Sequence, residues 1–67
     1  MFSGGIRKMA TVIGMARQEA EGELVKQGYT TRVVQEDGKS FEMTAEFRFD
    51  RMNLVVENGL IVRAYVG

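Results

Sequence analysis

Nucleophilic catalysis needs a hydroxyl or thiol within hydrogen-bond reach of a base, and this sequence contains no His and no Cys. A Ser-His-Asp triad is therefore excluded. The same two absences remove the imidazole and thiolate ligands of the usual zinc, iron–sulfur and copper centres, so no metal and no other cofactor is expected. The nine Asp and Glu residues remain as potential general acids and bases. Raising a carboxyl pKa for that work requires a desolvated cleft, and a chain of 67 residues has too small a core to enclose one. They read as solvated surface charge. Gly4-Gly5 follows no strand and opens neither a Walker nor a dinucleotide-binding spacing, so it is read as part of a flexible arm. The expectation is a protein that is not an enzyme.

Nine Lys and Arg residues balance the nine acids, and the longest basic run is Arg7-Lys8. The electrostatic footprint of a nucleic-acid binder is missing. No stretch approaches the roughly 20 apolar residues that span a bilayer, and the opening MFSGGIRKMATVIGM lacks a compact basic-then-apolar signal with a cleavage site. A soluble chain without membrane partner is expected. Its compartment stays open: secreted or periplasmic if a signal has been removed, cytoplasmic otherwise. Without disulfides the fold must rest on packing, in a domain that buries only about 60% of its unfolded surface.

Residues 1–11 show no sustained period and are expected to be a flexible N-terminal arm, with a single domain over 12–67. In MARQEAEGELVKQG the apolar residues Ala16, Ala20 and Leu24 recur every four positions, flanked by Ile13 and Val25, and Gly28 supplies a stop. This spacing predicts a helix over about 15–27. Residues 29–35 (YTTRVVQ) are rich in β-branched side chains and read as a strand. A second strand over 51–57 (RMNLVVE) and a third over 60–66 (LIVRAYV) flank Asn58-Gly59, the signature of a tight hairpin. The expected core comprises Ala20, Leu24, Met52, Leu54, Val56, Leu60, Val62 and Ala64. The class is α+β.

Between the first two strands lies EDGKSFEMTAEFRFD, residues 36–50, which opens on an Asp-Gly turn and is read as having no clean period. A connection this long in a compact domain is functional or disordered, and Phe41, Met43, Phe47 and Phe49 make it too apolar for a linker. Function is expected here.

Read as one unit, Thr44-Ala45-Glu46-Phe47-Arg48-Phe49-Asp50-Arg51-Met52-Asn53-Leu54-Val55-Val56 resembles the reactive-site segment of the potato inhibitor I family of serine protease inhibitors, most closely its bacterial relatives. Val12-Ile13-Gly14 is similar to the family's apolar-apolar-Gly before its one helix, and Ala64-Tyr65-Val66-Gly67 to its terminal Val/Cys-Gly. The resemblance covers 12–67. It implies one helix on a small mixed sheet, with a long exposed reactive-site loop joining the first two strands, which run parallel. It further implies inhibition of subtilisin-, chymotrypsin- or elastase-type proteases by a substrate-like loop. By position, Ala45 and Glu46 flank the reactive bond, Ala45 sets primary specificity, and Met43, Thr44 and Phe47 fill neighbouring subsites. Arg48, Arg51 and Asn53 are assigned to loop support.

Arg51 and Asn53 share the non-core side of their strand by the period-two rule, so both can point toward the loop. A charge-assisted hydrogen bond from Arg51 to Glu46 or to a loop carbonyl would contribute roughly 1.5–3 kcal/mol. Asn53 stands where plant members of the family often carry a second Arg. Small Ala45 points to elastase-like or broad subtilisin-like targets and away from trypsin. Without the resemblance, Arg51 reads as a surface charge paired with Asp50 or Glu57. Phe41, Phe47 and Phe49 can alternatively cap the core beneath the loop, the reading favoured for Phe49. Arg63 and Tyr65 either line the underside of the loop or are solvated. The partner expected is a serine protease, the inhibitor being a monomer or alternatively a dimer; the competing hypothesis is a non-inhibitory interaction or self-association module on the same fold.

Overall fold

The structure, a computed structural model, describes residues 12–67. The segment 1–11, expected as an arm, lies outside the described residues. Helix α1 spans Arg17–Lys26 and buries Ala20 and Leu24. Its stop is the one Gly28 announces: Gly28 takes φ +95°, its N–H donates to Val25 O at 3.0 Å, and Tyr29 N–H donates to Leu24 O at 3.0 Å. These two bonds satisfy carbonyls that the helix end would otherwise orphan.

The start of the helix corrects the sequence-based expectation. Ala16 is extended, at φ −62° and ψ 149°, and forms an isolated bridge with Leu60, so α1 begins two residues later than 15. Ala16, Ile13 and Val25 are exposed, which leaves a two-residue stripe. Ile13 precedes the helix, so helical spacing does not apply to it, and Val25 sits about 100° round the axis from Leu24. Val12 enters the core in their place.

Strands β1 (Thr30–Glu36), β2 (Lys39–Ser40), β3 (Arg51–Glu57) and β4 (Leu60–Val66) form one sheet in the order β2-β1-β3-β4. β3 and β4 occupy the expected residues. The two hairpins turn through Asp37-Gly38 (φ 51° and 82°) and Asn58-Gly59 (φ 52° and 77°), the paired positive φ that makes a two-residue turn match the strand twist. β2 is an addition to the expected three strands. The two turns lie side by side, because Asp37 N–H donates to Val56 O at 2.9 Å and Asn58 N–H donates to Asp37 Oδ1 at 2.7 Å.

β1 and β3 run parallel. Parallel neighbours cannot be joined by a tight turn; the chain must travel back the length of the sheet, which takes a dozen residues or more. That geometry sets a lower bound on the length of the 37–50 connection. A helix usually makes such a crossover. Here only β2 interrupts it, and the rest runs as an exposed loop.

Val12, Ala20, Leu24, Met52, Leu54, Val56 and Ile61 form the core cluster, with Met15, Tyr29, Val33, Ala64 and Val66 packed around it. Each fully buried Leu, Ile or Met contributes about 1.5–3 kcal/mol. Leu60 and Val62, expected in the core, are 46% and 40% exposed. The cause is a bulge in β4. Val56 pairs with Ile61 but Val55 with Arg63, so Val62 is an extra residue and the inward positions change from odd to even along the strand: Ile61, then Ala64 and Val66. A matching irregularity in β1 makes Val34 the extra residue opposite Leu54 and Val55. Val34 and Val55 are both buried outside the main cluster, as is Asn53, at 2% exposed.

Candidate functional site

Every residue from 41 to 49 is exposed. Among them are Phe41, Met43, Phe47 and Phe49, the last two 69% and 80% exposed. Phe49 therefore does not cap the core, contrary to the reading favoured for it: Asn53 and Gly67 lie against the residues that support the loop. In sequence Phe41, Met43, Ala45, Phe47 and Phe49 alternate with Glu42, Thr44, Glu46, Arg48 and Asp50. This is a period of two, which the reading of the segment as aperiodic overlooks, and it is the pattern of an extended chain.

The loop is fastened at its ends and on its C-terminal half. Phe41 N–H donates to Val34 O at 3.0 Å, and Thr30 N–H donates to Asp50 O at 2.9 Å, seconded by Thr30 Oγ1 at 3.4 Å. Between these anchors Arg51 reaches back from the start of β3. Its Nη2 donates to the carbonyl oxygen of Glu46 at 3.0 Å, and its Nε donates to Gly67 O at 3.0 Å. Of the partners anticipated for Arg51, the structure selects a loop carbonyl. Arg48 N–H donates to the same Gly67 oxygen at 3.4 Å, and Gly67 N–H donates to Arg51 O at 3.1 Å.

The Arg48 side chain turns away from this network. Its Nε and Nη2 donate to Asp50 Oδ1 and Oδ2 at 3.1 and 3.0 Å, a two-pronged pair that stiffens three consecutive loop residues. The hydrogen bond from Arg48, with its positive charge, holds the Asp50 carboxyl below its ordinary pKa, and the same bond raises that of Arg48. Asp50 is thus the partner of Arg48, not of Arg51.

Asn53 does not reach the loop directly. Its Oδ1 accepts from Arg32 Nε at 2.8 Å, while its Nδ2 packs so closely beneath Gly67 that a Cβ there would lie 2.8 Å away. Tyr65 pairs with Asn53 across β3 and β4 and is half-buried, with the Arg63 guanidinium 5.2 Å from its ring centroid. Arg32 and Gly67 were not among the expected site residues. Nothing local flags Arg32; its place follows from the β1–β3 register, which sets Arg32 opposite Asn53.

Ala45 and Glu46 thus lie in the exposed segment, with Met43 and Thr44 before them, and among the described residues no side chain of 42–45 donates or accepts a hydrogen bond. Glu46 O carries the Arg51 bond, and Phe47 approaches Gly67, its Cδ1 4.0 Å from where a Cβ would stand. Among the described residues no group of three Asp, Glu, His or Cys side chains could hold a metal ion, and no helix is long and apolar enough to cross a membrane. No protein-family model matches the chain, and no curated protein matches it.

Proposed function

We propose that this protein is a serine protease inhibitor of the potato inhibitor I type, offering the Ala45–Glu46 bond of an exposed loop to proteases of the subtilisin, chymotrypsin or elastase class. The observation that carries the proposal is the position of Arg51. A segment open to solvent on every residue is held by a charge-assisted hydrogen bond from Arg51 to the carbonyl directly after the proposed bond, and Arg51 is itself anchored by a second such bond to Gly67 O. Such a loop can enter a protease cleft without losing much conformational freedom, because part of that entropy is already lost in the free protein. After cleavage the Arg51 bond would hold the Glu46 side, and with it the new amine, in place for attack on the acyl group of Ala45 held by the protease. Resynthesis then competes with release.

Ala45 would occupy the primary specificity pocket, and its single methyl suits small or undemanding pockets. Met43, Thr44, Glu46 and Phe47 would fill the adjoining subsites. Support comes from Arg51 directly, from Arg48 through Asp50, and from Asn53 through Gly67. The test is residual subtilisin and elastase activity against rising amounts of the purified protein, with fragments weighed by mass spectrometry. Stoichiometric inhibition with one slow cut after Ala45 is the expected result; rapid cutting at scattered loop bonds without inhibition would overturn the proposal.

A second reading has its own observation. Val62 is exposed on β4, the outer strand of the sheet; the Leu60 end of that strand is already bridged to Ala16, and the edge beyond the bridge suits pairing with another chain. An interaction module using that edge would leave protease activity untouched and would show itself as association that Val62→Lys abolishes.

A further inference from the structure

We propose that Arg32, on β1, is a positioning residue for the loop: its guanidinium locks the Asn53 amide beneath Gly67, and Gly67 is the post on which Arg51 is anchored. The proposal rests on the inhibitory reading for its consequence, but its geometry stands apart from it.

The argument starts from donor chemistry. A guanidinium carries only donors, so the Asn53 atom facing Arg32 Nε at 2.8 Å must be the carbonyl oxygen. That choice fixes the other end of the amide. Nδ2 then faces Gly67, where the space is so restricted that a Cβ would lie 2.8 Å from it. Asn53 is 2% exposed, so an amide freed from Arg32 would have no water to replace its partner and would turn within its site or push on its neighbour. The neighbour is Gly67, whose oxygen accepts from Arg51 Nε at 3.0 Å and whose N–H donates to Arg51 O at 3.1 Å. Arg51 in turn carries Glu46 O. A continuous contact path therefore runs from the middle of β1 to the carbonyl after Ala45, through residues that are half-buried or buried at every step before the loop. Among the described residues Arg32 makes no hydrogen bond to residues 41–49; it acts through Asn53.

Two variants separate this from a general stability effect. Arg32→Met keeps the aliphatic stem and deletes the donor, whereas Arg32→Gln places an amide N–H at the same number of bonds from the backbone as Nε. Hydrogen exchange of the Gly67 amide is compared with that of Asp37, whose N–H bonds Val56 O at 2.9 Å at the other end of the sheet. Arg32→Met should speed Gly67 exchange about tenfold and leave Asp37 unchanged, and Arg32→Gln should restore most of the protection. The same Met variant should be cut by subtilisin after Ala45 about tenfold faster than the parent. Unchanged exchange at Gly67, or equal acceleration at Gly67 and Asp37, would overturn the proposal. If the parent protein inhibits no protease while Gly67 responds as stated, the inhibitory reading falls and the positioning role stands; if the parent inhibits and Gly67 does not respond, the reverse holds.

Discussion

Arg51 Nη2 and the carbonyl oxygen of Glu46 are 3.0 Å apart, a side chain at the first position of β3 holding the backbone five residues before it. The reach is possible because the chain turns at Phe49-Asp50, which brings the segment before the turn within range of a long side chain at the strand start.

Arg51→Ala removes both this bond and the one to Gly67 O. The variant should lose about 1.5–3 kcal/mol of stability, the range for charge-assisted bonds, and loop cleavage by subtilisin should become at least about tenfold faster and spread to several bonds. Urea unfolding and timed mass spectrometry read the two effects. A loop that stays resistant in the variant would show that Arg51 does not hold it.

The Arg48 and Asp50 pair gives a dependence on pH. Asp50 has a folded pKa below its unfolded value, held there chiefly by the hydrogen bond from Arg48. A group lowered in this way contributes order above the unfolded pKa and loses that contribution as pH falls through the folded one. Loop protection should therefore be constant near neutrality and decline in the acid range below the ordinary carboxylate midpoint. In Arg48→Gln the Asp50 midpoint, followed by carbon-detected NMR, should return toward the ordinary Asp value; an unmoved midpoint would assign the shift elsewhere.

Core and loop should respond to truncation in opposite ways. Leu54 is fully buried, and Leu54→Ala should cost about 2–5 kcal/mol, a large share of what a domain of this size has. Phe49 is 80% exposed, and Phe49→Ala should fall within about 0.5 kcal/mol of the parent. Thermal unfolding of both decides the matter, and a large loss in Phe49→Ala would put that ring on the core after all.

Ala45→Leu should leave the unfolding midpoint unchanged, since residue 45 is exposed, and, on the proposed inhibitory function, should shift inhibition toward chymotrypsin relative to elastase. One further large apolar side chain in a pocket is worth about 1–3 kcal/mol of discrimination. An unaltered inhibition profile would show that Ala45 is not the primary specificity residue.

The bounds of β3 and β4 and the inward face of β3 are legible because two signals coincide there: Asn58-Gly59 fixes the turn, and Met52, Leu54 and Val56 fix the inward face of β3. The helix was legible in kind but not in its start, since Ala16 fits helical spacing and yet is drawn into a bridge with Leu60. β2 could not be read, because a strand of two residues has no period. Leu60 and Val62 were misplaced for a related reason. A bulge changes which residues face inward without altering the composition, and only the pairing of Val55 with Arg63 reveals it. At the site, exposure of the loop follows from topology, whereas the Arg32 and Asn53 contact joins residues 21 apart in sequence and depends on a register that no local pattern records.

The complete exposure of residues 41–49 bears on how such a protein can change over generations. Arg48 apart, which pairs with Asp50, such exposed side chains are judged chiefly by what they meet outside the molecule, so substitutions there escape the stability threshold that eliminates most core changes. Arg51, Asn53 and Arg32 can then stay fixed while the residues above them drift. Gene duplicates of this chain could diverge in what they bind before they diverge measurably in how they fold.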